Sequence, residues 1–293
     1  MRVVVAGARG QLGAAIVHEF APRHEVVPLV REELDITDDR AVAAAMERLR
    51  PDIIINSAAY NDVDGAEDHP VDALNVNAFA VRALAASAAA TNAIFVHYSS
   101  DFVFDGTALT PYTEADRPNP QSVYAISKLL GEWFAIDAPR WYVLRVESLF
   151  GRAPGASPAR GSMAGLVKKL MAGEETRAFA DRTVSPTSVI DAAAATRQLV
   201  ETAAPTGLYH CVNSGSCTWL ELARELARQL GVEPRLVPIR LVDLSLRAQR
   251  PLYCALSNAK LLSAGVVMRT WQDALARYLS TVRDDVAHHV SDG

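Results

Sequence analysis

The stretch "RVVVAGARGQLGAAIVHEF", residues 2–20, decides the fold. A short β-branched run passes straight into a loop carrying Gly7, Gly10 and Gly13, and from there into an apolar helical pattern. Glycine is wanted at such a turn because the backbone needs unusual φ/ψ, must approach a pyrophosphate closely, and must let the helix lie on the strand. The free N–H groups of the helix then point at the anion. Three spaced glycines alone say little. Placed between a strand and a helix at the start of the chain, they predict a dinucleotide loop, with Arg9, Gln11 and Leu12 in the same turn.

Outward from this loop the same rhythm continues. "HEVVPLV", "DDRAVAAAMERLR" and "PDIIINSAA" alternate strand and helix, and "AIFVHYSS" and "WYVLRVESLFG" read as further buried strands. This predicts an α/β protein with a doubly wound parallel sheet of the Rossmann kind. "HPVDALNVNAFAVRALAASAAATN" reads as one long helix with Leu74, Phe79, Val81 and Leu84 facing inward. "DGTALTPYTEADRPNPQS" reads as a loop over the C-terminal edge of the sheet. After Gly151 the rhythm breaks. "RAPGASPARGSMAGL" has the composition of a segment that covers a substrate, one that binding would order around Gly155 to Gly161. The expected division is a dinucleotide-binding domain over 1–150 with 186–212 returning to it, and a smaller C-terminal α/β lobe from 151–185 and 213–293 that binds substrate.

Composition removes several function classes. The chain has 293 residues, half of them hydrophobic, and a formal net charge of −5, with no block of Lys or Arg to track a phosphate backbone. Nucleic acid is not an expected partner. The N-terminal apolar run is too short to span a bilayer and has no cleavage pattern behind it, so no membrane is expected and the cytoplasm is the expected compartment. Cys211, Cys217 and Cys254 form no C-x-x-C pair and read as packing residues; no metal site is expected.

An NAD-preferring site places an acidic residue at the end of the second strand, roughly 20 positions beyond the loop. Here that strand ends at Arg31. A guanidinium suits a 2′-phosphate, and Arg9 either adds a second positive charge or is a solvated surface group. NADPH is therefore expected to serve at least as well as NADH. Further on, "PQSVYAISKLLGEWF" sets Tyr124 and Lys128 on one face of a helix, within mutual reach. A neighbouring cation is expected to favour phenolate and lower the phenol's pKa toward neutrality. Ser99 and Ser100 end the preceding strand, where a hydroxyl can share a substrate oxygen with Tyr124. Beside a nicotinamide these groups suit ketone reduction.

Taken together, "GARGQLG", "ELDITD", "DIIINSAAYNDVDGAE", "NVNAFAVRALA", "YSSDFVFDG", "YAISKLLGE", "LRVESLFG", "SPT", "GLYHCVNSGSCTWLELA" and "RPLYCALSNAKL" resemble the dTDP-4-dehydrorhamnose reductase family of extended short-chain dehydrogenase/reductases, nearly end to end. The resemblance implies a catalytic set of Ser100, Tyr124 and Lys128, with Ser100 in place of the usual threonine. It implies that Asp35 and Ile36 border the adenine, that Ala58, Ala59 and Tyr60 line the cofactor cleft beside Ser99, and that Asn77 supports the central helix. On the substrate side it implies Val63, Asp101, Phe102, Ser148 and Arg250. The expected substrate is a nucleotide-linked 4-keto-6-deoxy sugar, dTDP-linked, reduced by a monomer or homodimer.

Departures from the motifs bear on the sugar. Phe102 replaces a tyrosine, Ser148 stands where a tryptophan would pack against the ring, and Val184 stands where a glycine precedes "SPT". Related 4,6-dehydratases carry an Asp-Glu pair after the threonine, whereas Asp101 is followed by Phe102, which argues against elimination. Asp101 either orients the substrate or caps its loop, and Arg250 either binds a diphosphate or bridges the lobes. Epimerases share the loop and the Tyr/Lys pair. Some family members are non-catalytic NADP-binding regulatory subunits; Ser100, Tyr124 and Lys128 together disfavour that role.

Overall fold

The computed structural model describes residues 1–154, 156 and 161–291. Its first part runs β1 (Arg2–Ala6), α1 (Gln11–Phe20), β2 (Glu25–Leu29), α2 (Asp39–Leu49), β3 (Ile53–Asn56), α3 (Gly65–Asp68), α4 (Pro70–Leu74), a π-turn (Asn75–Phe79), α5 (Ala80–Thr91), β4 (Ile94–Ser100), α6 (Val123–Ala135) and β5 (Trp141–Val146). The chain then leaves for β6 (Leu149–Phe150), α7 (Ser162–Met171), β7 (Thr176–Phe179), β8 (Thr183–Val184) and β9 (Thr187–Ser188). It returns through α8 (Val189–Glu201) and β10 (Gly207–His210). It ends with β11 (Cys217–Thr218), α9 (Trp219–Leu230), β12 (Leu236–Ile239), α10 (Ala259–Ser263) and α11 (Trp271–Ser291).

The main sheet has six strands in the order β10-β5-β4-β3-β1-β2, all parallel. Strands buried on both faces need unbroken apolar runs, and Val3–Val5 and Ile53–Ile55 are fully buried. One face packs on α1 and α8, through Ile16, Phe20, Ala192 and Leu199; the other packs on α2 and α5, through Met46, Val81 and Leu84. Pro28, which cannot donate to a ladder, sits in the edge strand β2. Strand order reverses between β1 and β3, so their C-terminal ends open the crevice in which doubly wound sheets bind ligands. A second core, with Leu166, Leu222, Leu226, Trp271 and Leu275, unites α7, α9 and α11 beside β6 to β9, β11 and β12.

The long helix expected over the Ala-rich stretch is present as α4, the π-turn and α5. By length and composition alone Pro70–Thr91 could cross a membrane, but more than half of its apolar window is buried in the protein. Val81 and Leu84 face inward, whereas Phe79 is 40% exposed, against expectation. Two positions from Val81, at about 100° per residue, it falls on the opposite side of the helix, where its ring lies 6.2 Å from that of Phe134. The covering segment expected around Gly155 to Gly161 lies mostly outside the described residues.

Candidate active site

The glycine loop is built as a backbone cradle. Gly7 has φ +77°, and a Cβ there would lie 2.6 Å from the Ala58 nitrogen, so the position is closed to other residues. A Cβ on Gly13 would overlap the Gly7 carbonyl, which keeps α1 close to β1. The N-terminus of α1 has no side-chain cap and no acidic residue in its first turn, so its N–H groups are free for an anion. Gln11 donates from Nε2 to the Gly151 carbonyl at 2.5 Å, tying the loop to the end of β6, and Leu12 is buried beneath it. These features fit the pyrophosphate of a dinucleotide.

Two adjoining cavities meet at Gly10 and Ser57–Ala59. One, of about 380 Å³, is lined by Gly7, Arg9, Arg31, Glu32, Asp35, Ile36, Ala58, Ala59 and Tyr60 and has the place and lining of an adenosine site. Arg31 is exposed, with Nη2 3.5 Å from the Asp35 carboxylate, while Arg9 donates to Glu32 at 2.7 Å. Glu32 was not singled out in the sequence. It lies just past the end of β2, so the site offers a ribose both an acceptor and guanidinium donors.

The other cavity, of about 520 Å³, brings together Ser99, Ser100, Asp101, Phe102, Tyr124, Lys128, Val63, Ser148 and Arg250 with the loop residues Gly10, Gln11 and Leu12. Helix α6 delivers Tyr124 and Lys128 because Ser122 caps it, accepting from the Ala125 N–H, and because its inner face is fixed at two places. Asn77, in the π-turn, accepts from the Tyr60 N–H (2.9 Å) and donates to the Tyr60 carbonyl and the Ser127 hydroxyl (both 3.0 Å). Glu132 pairs with Arg145 of β5 through two hydrogen bonds (2.8 and 2.7 Å) and accepts from Ser99 at 2.5 Å. The Ser99 hydroxyl is thus engaged within the scaffold.

Lys128 is buried, with Nζ donating to the Tyr98 carbonyl at 2.6 Å; burial pulls its ammonium down to about 8, with the Glu132 charge opposing. The expected lowering of the Tyr124 phenol is not found. Burial, and then the Asp101 carboxylate, push it up, so the phenol is a proton donor at neutral pH. Ser100 donates to Asp101 at 2.8 Å, and Phe102 meets Tyr124 edge-on with ring centroids 5.5 Å apart, in a cluster that includes Val63. Ser148 holds a left-handed φ of +43°, a strained backbone on the cavity wall.

Arg250 grips both oxygens of Asp64 (2.9 and 2.7 Å), the inter-lobe alternative of the sequence reading, while still reaching the cavity. Among the cavity residues that carried no assigned role in the sequence are Glu147, Arg182 and Trp219. Glu147 supplies the second carboxylate that the chain lacks after Asp101. The signal that could have found it is a charged residue leaving the C-terminal end of an apolar strand, in "WYVLRVES". Trp219 of α9 brings an aromatic ring to the wall, its Nε1 buried with no hydrogen-bond partner among the described residues.

Comparison with known proteins agrees with this geometry. The family model described as RmlD substrate binding domain matches residues 1–284. A dTDP-4-dehydrorhamnose reductase of Burkholderia thailandensis is 32% identical over 293 residues, covering 94% of this chain and 97% of that protein. A solved dTDP-4-dehydrorhamnose reductase from Clostridium acetobutylicum superposes with a TM-score of 0.91 at 32% identity, over 97% of this chain and 100% of that one. Another, from Bacillus anthracis in complex with NADP, gives 0.90 at 30% identity, over 96% and 99%. With the glycine cradle, the Ser/Tyr/Lys set and near full-length similarity in agreement, the chain belongs to the dTDP-4-dehydrorhamnose reductase family of extended short-chain dehydrogenase/reductases.

Proposed function

We propose that this protein is an NAD(P)H-dependent ketoreductase that reduces the 4-keto group of a nucleotide-linked 4-keto-6-deoxy sugar in deoxysugar biosynthesis. The observation that carries the reading is the convergence of Ser100, Tyr124 and Lys128 on one cavity that also reaches the glycine loop. Gly7, Gly10 and Gly13 hold the pyrophosphate, Asp35 and Ile36 flank the adenine, and Arg31 answers a 2′-phosphate, so NADPH serves at least as well as NADH. A bound reduced nicotinamide supplies the hydride for the carbonyl carbon. Ser100 and Tyr124 hydrogen-bond the carbonyl oxygen, and the protonated phenol of Tyr124 delivers its proton there as charge develops. Lys128, held by the Tyr98 carbonyl, supplies positive charge to the same cavity.

The sugar enters the cavity lined by Val63, Phe102, Ser148 and Trp219. Trp219, on the wall of the same cavity, offers a stacking surface in a pocket that lacks the family's tryptophan at Ser148. A nucleotide diphosphate, dTDP-linked on the family's pattern, presents paired oxygens to Arg250 much as the Asp64 carboxylate does. Incubation with NADPH and a panel of dTDP-, UDP- and GDP-linked 4-keto-6-deoxy sugars, followed by nicotinamide absorbance and product identification, tests the reading. Turnover should occur with one of them, and Tyr124→Phe should lower kcat about 10²- to 10⁴-fold. Near-normal turnover by that variant would overturn the mechanism; tight NADPH binding with no turnover of any keto sugar would favour a regulatory subunit.

A further inference from the structure

We propose that Asp101 and Glu147 hold a single proton between them and that Ser100 passes it on to Tyr124, making the pair the proton reserve of the reduction. The inference rests on the ketoreductase reading and adds where the phenol recovers its proton.

Strands β4 and β5 pair in register with Ser100 opposite Val146, so the next residues, Asp101 and Glu147, leave adjacent strand ends side by side. Both carboxyls are almost wholly buried, and an oxygen of each and the Cys254 sulfur all lie within 4.8 Å of one another. Asp101 Oδ1 accepts from Ser100 (2.8 Å) and Glu147 Oε2 from the Ser185 N–H (2.6 Å). Their other oxygens, Asp101 Oδ2 and Glu147 Oε1, have no donor among the described residues.

Two ionised carboxylates against one guanidinium, that of Arg182, would leave an uncompensated charge and two orphan acceptors sealed from water. One shared proton removes the charge and gives one orphan oxygen a hydrogen to donate across the pair. The surroundings agree. Burial raises both carboxyls, and the Asp101 charge raises Glu147 further. Of the other titratable groups facing them, the Tyr124 phenol, the Cys217 and Cys254 thiols and the Tyr253 phenol are all pushed up by burial and stay neutral. A metal ion is a poorer occupant. The Arg182 guanidinium, with Nη2 3.9 Å from Cys254 Sγ, already places a cation there, and the thiol donates to the Pro251 carbonyl.

The step balances without another reactant. As the substrate oxygen takes the Tyr124 proton, the phenolate takes the Ser100 hydroxyl proton, and the Ser100 oxygen takes the proton of Asp101. Turning the Asp101 carboxyl about its Cβ–Cγ bond presents the protonated oxygen to Ser100. The pair is left doubly ionised until solvent returns a proton through the cavity.

Infrared spectra of the ligand-free protein against pH test the shared proton directly. A protonated-carboxyl band that persists at neutral pH in the wild type and is missing from Glu147→Gln is expected; its absence from the wild type overturns the proposal. Steady-state reduction of the keto sugar with NADPH tests the relay. Wild-type kcat should fall across the pH range in which the band disappears. Glu147→Gln should lower kcat at neutral pH about tenfold with KM unchanged, and be flat across that range. Any decline left near pH 8 belongs to Lys128. A Glu147→Gln enzyme with wild-type kcat and profile overturns the relay. Asp101→Asn should show the same loss, and if neither variant folds, coincidence of band and rate in the wild type decides. Absence of wild-type turnover overturns the ketoreductase reading and the relay with it, while the band still decides whether the proton is shared.

Discussion

At the scale of single residues, the site works by making ordinary groups unusual through burial. Tyr124 sits four positions from a lysine, yet its phenol is raised, because desolvation and the Asp101 carboxylate outweigh a cation whose Nζ is turned to the Tyr98 carbonyl. In a reduction that is an advantage, since the phenol must arrive protonated. Arg31 is the opposite kind of residue, exposed and held by its ion pair with Asp35 at 3.5 Å, which a phosphate can displace. Arg31→Ala should weaken NADPH binding roughly tenfold, the value of one charge-assisted hydrogen bond, while leaving NADH unchanged. Fluorescence titration with both cofactors checks this; equal affinities for NADPH in the two proteins would remove Arg31 from the 2′-phosphate site. Glu32 lines the same cavity and keeps a carboxylate acceptor there, the group that a free ribose hydroxyl of NADH calls for.

At the scale of elements, α6 decides where Tyr124 and Lys128 stand in the cavity. It packs against the π-turn so closely that a Cβ on Gly131 would overlap the Asn77 carbonyl and lie 3.1 Å from His97 Nε2. The widened turn lets the buried Asn77 hold both the Tyr60 backbone and Ser127, joining the loop after β3 to α6. Gly131→Ala gains helix propensity of up to about 1 kcal/mol but forces backbone apart, and overpacking of about 1–3 kcal/mol should win. A denaturation midpoint lowered in the variant, together with reduced kcat from a displaced Lys128, is the expected result. Unchanged stability would mean that α6 can slide without cost. The helix, its Ser122 cap and its Tyr/Lys face were legible in "PQSVYAISKLLGEWF" because each depends on neighbours in the chain. The π-turn was not, since nothing local distinguishes it from the α-helix that contains it.

At the scale of the whole molecule, Arg250 on the cavity wall joins distant parts of the chain through its ion pair with Asp64. The Arg250 hydrogen bonds, followed by the Ala248 N–H, hold the Asp64 carboxyl at about 2. A carboxyl depressed in the folded state stabilises it fully above its unfolded pKa of about 4, and that contribution is lost as pH falls from there to about 2. Thermal melts across pH 2–5 should therefore show the wild type converging with Asp64→Asn over this window; a constant gap between them would mean that the pair contributes nothing. The same substitution frees Arg250, so nucleotide-sugar KM should fall if the guanidinium exchanges between Asp64 and the diphosphate.

By itself the sequence determined what is local or periodic: the glycine cradle, the alternation of buried strands with helices, the Tyr124–Lys128 face, the cap at Ser122. These follow from backbone sterics, hydrophobic period and hydrogen bonds between near neighbours, all of which act before the chain closes on itself. The tertiary structure alone decided which strand ends lie side by side. The pairing of Ser100 with Val146 depends on how β4 and β5 slide against each other beneath helices from both halves of the chain, and that register sets Glu147 beside Asp101. It also decided that Trp219 and Arg182 reach the cavity of Ser100, Tyr124 and Lys128 and that Arg250 closes on Asp64, because the packing of distant parts of the chain is settled by burial summed over many residues.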